Sequence, residues 1–358
     1  MLENPSQKEI DFAVIGHQDS WSNIASFING MRSDSVDPLP IEKIKNTFGY
    51  IPPRGVFRMR VKSKTGAIIN GIYIETFIEP DKLGVSYLRS NIKKVNDAIK
   101  VAQNLNAKII ALGGFTSIVL EGSFRDFDTT LTKITTGNTL TCAYITKSIE
   151  KAANKFDIDL KESSMLIIGA TGDIGMACTS YFNKKVKKLL LCARNKRRLE
   201  IFSNKIALHG NKVEFNTDVT KLAIQADFII SVASSNNIEI EAFKPQVIIC
   251  DAGYPKNLEL KINSTTSKTR LYHGGMGQVG YGFDFNPDYQ KYFYEYPSPH
   301  IGHGCILEAV VLAFENKFEN YSHGKGNITS RNIEDIYALS LKHGLKIAPF
   351  YNAKGLWN

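Results

Sequence analysis

Long apolar runs are absent from this sequence. No uninterrupted stretch of about 18 apolar residues occurs, so no transmembrane helix is expected. The N-terminus, MLENPSQKEIDF, has neither the basic start nor the apolar middle of a secretory signal. Cysteine is scarce: the 358 residues include 5 cysteines without C-x-x-C spacing, which argues against a disulfide framework and a zinc site. These absences predict a cytoplasmic protein without a bound metal.

The sequence contains fewer acidic than basic residues. Lysine and arginine total 44 against 35 aspartates and glutamates, and the formal net charge is +9. Such a surplus suits nucleic acid, an anionic membrane surface or an acidic protein. The lysines are spread along the chain without an aromatic-studded basic module, so nucleic acid is not expected as a partner. A lysine-rich solvated surface and an acidic partner or substrate both stay open.

A short apolar run, a glycine-rich turn and a helix-forming segment follow one another in residues 165–182. The run MLII (165–168) is typical of a strand buried on both faces of a parallel sheet. The glycines of GATGDIG (169–175) have the spacing G-x-x-G-x-x-G, a variant of the commoner dinucleotide-binding pattern. Glycines permit a tight turn, and the helix N-terminus presents unpaired N–H groups to a pyrophosphate. A glycine turn with a purely geometric role is the alternative.

The next predicted strand, Lys188–Ala193, ends in a group of cations, RNKRR (194–198). An NAD site usually has a carboxylate here to accept hydrogen bonds from the ribose 2′-hydroxyl. Cations suit a 2′-phosphate instead, so the pattern favours NADPH over NADH, with Arg194 as the best candidate. For Lys196, Arg197 and Arg198 individually, a solvated basic turn remains an alternative.

Strands alternate with helical or loop segments, and this predicts the α/β class with a doubly wound sheet. The strands expected after the cation group are Lys212–Phe215, Asp227–Val232, Gln246–Cys250 and Thr269–Tyr272. Ala233 and Ser234 follow the second of these, where they would lie at the mouth over the nicotinamide half of the cofactor.

The N-terminal part also contains α/β signals. The predicted elements are a strand at Phe12–His17, a hairpin of Arg58–Lys64 and Gly71–Phe77, a helix at Arg89–Asn104, a strand at Lys108–Leu112 and a helix at Leu140–Lys155. The strand before Gly113 enters a second glycine turn, GGFTS (113–117), at the end where α/β sheets place ligands. A plain loop explains this turn as well. Thr135, Thr136 and Asn138 are N-cap candidates for the following helix.

A chain of this length is expected to divide into two or three domains. We expect an N-terminal α/β substrate-binding domain in residues 1–155 and a Rossmann-type NADPH-binding domain in 156–285. A mainly helical segment is expected in 286–358.

Cys305 is the candidate nucleophile. The stretch PSPHIGHG (297–304) lacks the pattern of regular structure, and CILEAVVLAFE (305–315) is a strong helical run. Cys305 therefore falls in a first helical turn, where N–H groups and the helix dipole stabilise a thiolate. His300 and His303, just upstream, could add positive charge or shuttle a proton. A cysteine nucleophile and a hydride donor together suit reduction of a thioester or oxidation of an aldehyde.

Four motifs together resemble the long-chain acyl-[acyl-carrier-protein] reductases of cyanobacteria in order and approximate spacing. They are ALGGFTSIV (111–119), TTGNT (135–139), IGATGDIG (168–175) and DAGYPKNL (251–258). The opening IGH (15–17) and the Cys305-x-x-Glu308-Ala309 helix also resemble that family. The resemblance covers roughly residues 12–345.

The resemblance implies reduction of long-chain acyl-carrier-protein thioesters, and less well of acyl-CoA, to fatty aldehydes with NADPH. It implies that Cys305 is the acylated nucleophile and that Arg194 holds the 2′-phosphate. The residues implied to hold the pyrophosphate are Gly169, Thr171, Gly172, Asp173, Ile174 and Gly175. Those implied on the acyl or carbonyl side are Gly113, Gly114 and Ser117. An aldehyde product leaves room for an aldehyde-consuming partner enzyme and for peripheral membrane contact.

The chain departs from the family at three places. GGMGQ (274–278) lacks the acid of the usual Gly-Gly-Ile-Val-Glu, and VASSNN (232–237) replaces a Val-Ala-Ser-Met-Pro-Lys-like run. Residues 280–299 are unusually rich in tyrosine and phenylalanine. These changes surround the presumed substrate mouth, so acyl length and the choice of carrier stay open.

Two other functions remain in competition. A small-molecule dehydrogenase of the shikimate or glutamyl-tRNA reductase type would not need Cys305 at a helix start, and in the shikimate case should show a lysine–aspartate pair. A non-catalytic NADPH-binding regulator would bind the cofactor yet leave Cys305 unreactive.

Overall fold

The chain forms two compact units, and each gathers segments that are distant in sequence. The computed structural model describes residues 9–32, 36–83, 85–120, 129–130, 132–210, 212–233, 243–253, 256, 258, 270–288, 296–323 and 326–357. The first unit comprises residues 1–137, 279–324 and 339–345. The second comprises residues 138–278, 325–338 and 346–358. The predicted segments 1–155, 156–285 and 286–358 are continuous stretches, whereas these units are discontinuous.

A six-stranded mixed sheet forms the centre of the first unit. Its strands are β1 (Phe12–Gly16), β2 (Arg54–Lys62), β3 (Ile68–Glu75), β4 (Ile109–Leu112), β5 (Lys133–Thr135) and β13 (Phe283–Asn286). Their order is β13-β2-β3-β1-β4-β5. Strands β3, β1, β4 and β5 are parallel, and β2 runs antiparallel to both of its neighbours. The carboxyl ends of the four parallel strands therefore meet at one edge.

Helices cover both faces of this sheet. They are α1 (Trp21–Gly30), α2 (Ile41–Phe48), α3 (Leu88–Asn104), α4 (Phe115–Leu120) and α9 (Gly304–Phe314). Helix α3 buries Val95, Ala98 and Ile99 against Ala13 and Ile15 of β1. The intervening residues of β1, Phe12 and Val14, point to the opposite face of the sheet and are also buried. Helix α9 packs against β1, β3 and β4.

Helix α9 is apolar around its whole circumference, as its sequence GCILEAVVLAF shows. A helix of this composition belongs in a protein interior. All its residues from Leu307 to Phe314 are buried, and only Cys305 and Ile306 in its first turn are partly exposed. The first turn of α9, which contains Cys305, is therefore the only part of this buried helix that is partly exposed.

The second unit is a doubly wound parallel sheet. Its strands are β6 (Ser164–Ile168), β7 (Lys188–Cys192), β8 (Lys212–Asn216), β9 (Phe228–Ser231), β10 (Ile248–Asp251) and β11 (Arg270–His273). All neighbouring pairs are parallel, in the order β11-β10-β9-β6-β7-β8. The strand order reverses beside β6, and open α/β sheets bind ligands at such a switch point.

Four helices of this unit precede or connect its parallel strands. They are α5 (Asn138–Lys155), α6 (Asp173–Phe182), α7 (Lys196–Ala207) and α8 (Val219–Ala223). Apolar residues from β6, β7, β9 and β10 form a core with Leu222 and Ala223 of α8. The predicted α/β class with a doubly wound, Rossmann-type sheet is confirmed. The predicted start of the last strand, Thr269, lies outside the described residues.

The remaining elements are short strands and one helix. They are β12 (Met276–Val279), β14 (Ile301–His303), α10 (Ser330–Lys342), β15 (Leu345–Ile347), β16 (Tyr351–Asn352) and β17 (Gly355–Leu356). Within the described ranges, the helices are too short or too polar to cross a membrane.

A glycine turn after β5 packs directly onto the start of helix α9. Gly137 has φ = +71°, a conformation that other residues rarely adopt. A Cβ atom at Gly137 would overlap the Cα and Cβ atoms of Cys305. Glycine is therefore required at residue 137 for two independent reasons, its backbone conformation and its contact with Cys305.

Comparison with Gly66 separates these two reasons. Gly66 has φ = +88°, but nothing lies within 4 Å of a Cβ atom built there. We expect Gly66→Ala to lower the free energy of unfolding by about 1 kcal/mol through backbone conformation alone. Gly137→Ala should cost about 2–4 kcal/mol because overpacking adds to that strain. Urea denaturation of both variants measures the difference, and equal losses would show that the contact with Cys305 is unimportant.

Candidate active site

Cys305 lies in the first turn of helix α9, between two glycine turns. His303 is the N-cap residue of this helix. A Cβ atom at Gly113, just after β4, would lie 3.9 Å from the Cys305 sulfur. Gly137, after β5, contacts the backbone of Cys305 from the other side. The first turn of α9 therefore lies against the carboxyl ends of two parallel strands, which is where the sequence predicted a ligand site.

Burial and the neighbouring backbone N–H groups have opposite effects on the pKa of the Cys305 thiol. Burial raises the pKa of the Cys305 thiol to about 11, and the nearby Glu308 carboxylate acts in the same direction. The backbone N–H groups of Ile306 and Gly114 lower the pKa, but by less. The N–H groups at the helix start therefore act in the predicted direction, toward the thiolate, but desolvation outweighs them. The role of Cys305 as a nucleophile stays a prediction.

The two predicted histidines have different surroundings. The Nε2 atom of His303 lies 3.2 Å from the hydroxyl oxygen of Tyr296. His300 is only partly buried and has φ = +62°, in the left-handed region. Both residues precede helix α9 closely, but their role in proton transfer stays a prediction.

His17 is a buried residue of this region that the sequence analysis did not assign to the site. Its Nε2 atom accepts a hydrogen bond of 2.9 Å from the backbone N–H of Phe115, and its Nδ1 atom lies 3.2 Å from the carbonyl oxygen of Gln18. Burial lowers the pKa of His17 to about 4, so the imidazole is neutral at physiological pH. These contacts assign the proton to Nδ1 and hold the turn that contains Gly114. The sequence feature that could have identified His17 as a site residue is its position directly after a buried strand.

The second glycine turn contacts Cys305 through its backbone. The Gly114 N–H group lies close enough to the Cys305 sulfur to lower the pKa of its thiol. The hydroxyl of Ser117 donates a hydrogen bond of 2.8 Å to the Gly114 carbonyl, and the hydroxyl of Thr116 donates one of 2.8 Å to the Gly113 carbonyl. The structure thus brings Gly113 and Gly114 to Cys305, while Ser117 supports the turn. A substrate-binding role for all three stays a prediction.

Glu308 is a second residue that the sequence analysis did not assign to the site. It lies one turn after Cys305 and is fully buried. The hydroxyl of Thr135 donates a hydrogen bond to its carboxylate and accepts one of 3.1 Å from the Gly137 N–H. Glu308 therefore attaches the glycine turn after β5 to helix α9.

An apolar cavity, which we call the aromatic hollow, lies beside the start of helix α9 in the first unit. Its cavity volume is about 10 Å³, roughly the room of one water molecule. It is lined by Phe57, Met59, Phe283, Phe285, Tyr296, Ile301, Gly302, His303 and Ile306. The rings of Phe283 and Phe285 lie 4.4 Å apart, and that of Phe57 lies 5.8 Å from that of Phe285.

The cofactor turn in the second unit is compact because of its glycines. Gly169 has φ = +86°, and a Cβ atom there would lie 3.0 Å from the backbone nitrogen of Ala233. A Cβ atom at Gly175 would overlap the carbonyl oxygen of Gly169. Gly172 is the N-cap of helix α6 and provides no side chain to bond the first N–H groups of that helix. These groups, at Asp173, Ile174 and Gly175, form a cradle that fits a pyrophosphate.

Asp173 and Thr171 complete this turn. The Asp173 carboxylate accepts hydrogen bonds from the Asn138 side chain (3.0 Å) and from the Gly326 N–H (3.1 Å). It therefore connects helix α6 to two other segments, and its contribution to a bound anion would come from its backbone N–H. Thr171 is partly exposed at the outside of the turn.

Arg194 lies beside the cofactor turn. The backbone N–H groups of Gly169 and Ala170 both donate to the carbonyl of Cys192, at 2.9 and 3.0 Å, and Arg194 follows Cys192 by two residues. Its side chain is exposed. Asn195 caps helix α7 by accepting a hydrogen bond of 3.0 Å from the Arg198 N–H. The arrangement suits a 2′-phosphate beside Arg194, which stays a prediction.

The third cofactor segment follows β9. The Val232 N–H donates a hydrogen bond of 3.0 Å to the Ile168 carbonyl, which places Ala233 against the glycine turn. Ser234 lies outside the described residues.

The DAGYPKNL motif organises the backbone after β10. The buried Asp251 carboxylate accepts hydrogen bonds of 3.2 Å from the N–H groups of Gly253 and Leu258. The Lys256 ammonium donates to the carbonyl oxygens of Asp251 (3.2 Å) and Gly274 (3.1 Å). Tyr254, Pro255 and Asn257 of the motif lie outside the described residues.

Known proteins match this chain at two scales, along nearly its whole length and within the second unit. A family model for shikimate / quinate 5-dehydrogenase matches residues 150–273. The long-chain acyl-[acyl-carrier-protein] reductase of Synechococcus elongatus is 32% identical over 356 residues, which cover 94% of this chain and 98% of that protein. The aminotransferase PigE of a Serratia species is 23% identical over 300 residues, 81% of this chain and 34% of that protein.

Among solved structures, shikimate 5-dehydrogenase from Listeria monocytogenes is similar with a TM-score of 0.38 and 12% identity, covering 93% of this chain and 97% of that one. Glutamyl-tRNA reductase from Methanopyrus kandleri has a TM-score of 0.28 and 13% identity, covering 53% and 47%.

The similarity to the Synechococcus protein extends over nearly the full length of both chains and includes both units of the fold. This protein belongs to the long-chain acyl-[acyl-carrier-protein] reductase family of oxidoreductases.

Proposed function

We propose that this protein reduces a long-chain acyl thioester, carried by acyl carrier protein or coenzyme A, to a fatty aldehyde with NADPH. The observation that carries the proposal is the setting of Cys305. Its sulfur lies at the start of a buried helix, where the backbone N–H groups of Gly114 and Ile306 lower the pKa of the thiol. The long-chain acyl-[acyl-carrier-protein] reductase of Synechococcus supports the same reaction by its name.

The first step transfers the acyl group to Cys305. The Cys305 sulfur attacks the thioester carbonyl carbon, the bond between that carbon and the carrier's sulfur breaks, and the proton lost by Cys305 ends on the carrier's thiol. The oxygen that becomes negative lies one bond from the attacked carbon, close to the sulfur. Backbone N–H groups that surround the sulfur, such as that of Gly114, are suited to stabilise this charge.

The second step reduces the acyl group on Cys305. A bound NADPH would supply the hydride. The bond between the acyl carbon and the Cys305 sulfur then breaks, the aldehyde leaves, and the sulfur takes up one proton. His303 and His300 are our candidates for moving protons to and from this sulfur.

The second unit has the residues needed to hold the cofactor. Gly169 and Gly175 allow the close backbone packing described above, and the first N–H groups of helix α6 face the proposed pyrophosphate position. Arg194 is the proposed partner of the 2′-phosphate, and Ala233 and Ser234 are proposed to lie beside the nicotinamide.

The net charge of +9 supports an acidic carrier. Acyl carrier proteins are strongly acidic, and opposite charge accelerates the encounter of two proteins. Coenzyme A is also anionic, so charge alone does not separate the two carriers.

A non-catalytic NADPH-binding regulator is the second candidate. The observation that favours it is the pKa of Cys305, which burial raises to about 11, since a protonated thiol is a poor nucleophile. The two candidates differ in whether an acyl thioester modifies Cys305.

The pH dependence of thiol alkylation tests the setting of Cys305 directly. With a pKa of about 11, only a small fraction of the thiol is ionised at neutral pH. We expect the rate of iodoacetamide labelling at Cys305 to rise roughly tenfold per pH unit from neutral to strongly basic solution. Peptide mapping measures the rate, and a Cys305→Ala protein gives the background from the buried cysteines. A rate that is already constant near neutral pH would contradict a raised pKa.

Acylation of Cys305 tests the reaction. Incubation with a long-chain acyl thioester in the absence of NADPH should add one acyl group, seen by intact mass and located on Cys305 by peptide mapping. Addition of NADPH should release the aldehyde and restore the original mass. Cys305→Ala should form neither product. Absence of an adduct with every acyl thioester, or full activity of Cys305→Ala, would favour the regulator.

Paired arginine variants test the cofactor. Arg194→Ala should weaken NADPH binding by about tenfold, because a charged hydrogen bond to the 2′-phosphate is lost, and leave NADH binding unchanged. Arg198→Ala, in the same basic turn, is the matched control and should change neither dissociation constant. Equal effects of Arg194→Ala on both cofactors would remove Arg194 from the phosphate role.

A further inference from the structure

We propose that Glu75 accepts and returns the proton of the Cys305 thiol through the hydroxyl of Tyr73. This inference rests on the proposed function for the reaction in which the proton moves. It adds an acid–base group to His300 and His303, and Glu75 acts through Tyr73 rather than by contact with the substrate.

Glu75 lies on the same face of the first unit's sheet as Cys305. Gly16, at the end of β1, pairs with Glu75 of β3. On the other side of β1, the Gly113 N–H of the β4 end donates a hydrogen bond of 2.9 Å to the Ile15 carbonyl. Glu75, Gly16 and Gly113 therefore lie side by side on three neighbouring strands, and paired residues point to the same face. A Cβ atom at Gly113 would point toward the Cys305 sulfur, 3.9 Å away.

The hydroxyl of Tyr73 lies between Glu75 and the end of β1. Tyr73 precedes Glu75 by two residues on β3, so both side chains share the face. The hydroxyl donates a hydrogen bond of 3.2 Å to the Glu75 carboxylate, and a Cβ atom at Gly16 would overlap it. With about 4.8 Å between neighbouring strands, the Tyr73 oxygen and the Cys305 sulfur are at most roughly 11 Å apart. A thioester carbonyl and one or two water molecules are of the size to fill such a gap.

Hydrogen bonds, and no ion pair among the described residues, stabilise the buried Glu75 carboxylate. Glu75 is 4% exposed. Besides the Tyr73 hydroxyl, it accepts hydrogen bonds from the side-chain amide of Gln18 (2.9 Å) and from the backbone N–H of Phe77 (3.1 Å). Burial of a carboxylate without a cation raises the free energy of the folded protein. Stability therefore does not explain a carboxylate at this place, and a role in proton transfer does.

The protonation of Glu75 suits that role. Burial raises the pKa of Glu75 to about 7, because desolvation of the charged form outweighs the hydrogen bonds that stabilise it. A carboxyl group with this pKa takes up and releases protons near neutral pH, as a general base does. Burial raises the pKa of the Cys305 thiol to about 11, so the thiol needs such a base in order to react near neutral pH.

Other titratable side chains on the elements around Glu75 have partners of their own. The Arg54 guanidinium lies over the ring of Phe77, and the Lys94 ammonium donates to the carbonyl oxygens of Gly49 and Phe77. The remaining groups are the neutral His17 and Asp19, which is bonded to Asn23, after β1; Glu79, which pairs with Lys82, after β3; and Glu308, which is bonded to Thr135, on α9. The side-chain partners of Glu75 are thus Tyr73 and Gln18.

The proton of Cys305 moves in both steps of the proposed reaction. When the sulfur attacks the thioester, its proton passes over bridging water and the Tyr73 hydroxyl to Glu75, and Glu75 then gives a proton to the carrier's sulfur as that sulfur leaves. In the reduction step the bond between the aldehyde carbon and the Cys305 sulfur breaks. The sulfur then takes one proton from Glu75, which has taken it from solvent.

Glu75→Gln tests the proposal, because the amide keeps the size of the carboxyl group but does not take up a proton near neutral pH. Tyr73→Phe removes the link and keeps the ring, which stacks on that of Phe57 at 4.7 Å. Glu79→Gln is the matched control, since Glu79 is a partly exposed carboxylate of the same segment that pairs with Lys82. A urea unfolding curve for each variant confirms that it is folded.

The measured quantity is the rate at which hexadecanoyl-CoA acylates Cys305 without NADPH, followed by intact mass as a function of pH. With Glu75 as the base, the wild-type rate should rise up to about pH 7, where Glu75 is ionised, and stay nearly constant up to about pH 9. Glu75→Gln and Tyr73→Phe should lower the rate at neutral pH by at least about tenfold, and their rates should rise about tenfold per pH unit over the whole range, as direct ionisation of the thiol requires. Glu79→Gln should keep the wild-type profile.

Three outcomes overturn the inference alone: a wild-type rate that keeps rising steeply above neutral pH, an unchanged profile in Glu75→Gln, or the same altered profile in the Glu79→Gln control. Failure of the proposed function has a different signature. In that case wild-type protein forms no acyl adduct at any pH, and both the reaction and the proton transfer that belongs to it are overturned.

Discussion

The contact between Gly137 and Cys305 is the constraint on which the candidate site depends. Helix α9 is buried along nearly all its length, so its position is set by packing, and only its first turn reaches the region where polar groups are available. That turn can approach the end of β5 only because residue 137 has no side chain. The buried Glu308, bonded to Thr135, holds the same two elements together one helical turn further on. The packing of this apolar helix therefore also sets the position of Cys305, the candidate nucleophile.

Close packing has an electrostatic consequence for the Cys305 thiol. The enclosure that positions the Cys305 sulfur also removes it from water, and this raises its pKa more than the N–H groups of Gly114 and Ile306 lower it. A thiol with a raised pKa is mostly protonated at neutral pH and reacts slowly with alkylating reagents. The neutral His17, whose pKa burial lowers to about 4, stabilises the neighbouring turn without adding a charge.

In the second unit too, glycine allows close backbone packing, here at the turn that is proposed to bind the cofactor. Gly169 and Gly175 allow the backbone of the turn to pack on itself and on Ala233, so the first N–H groups of helix α6 are concentrated in a small volume. Asp173 connects this turn to Asn138 and Gly326 through its carboxylate. Both units therefore place candidate site residues at the carboxyl ends of parallel strands, where open α/β sheets generally bind ligands.

The amino-acid sequence by itself determined the local elements and their class. Apolar runs predicted the buried strands, as at Lys188–Cys192, and helical spacing predicted helix α3 almost to the residue, because such patterns depend only on neighbours along the chain. The glycine turn and the helix-start position of Cys305 were visible for the same reason. Tertiary structure alone decided the contact of Gly113, Gly114 and Gly137 with Cys305, the roles of His17 and Glu308, and the aromatic hollow. It also decided the thiol pKa, because desolvation depends on atoms that are distant in sequence and adjacent only in the folded chain.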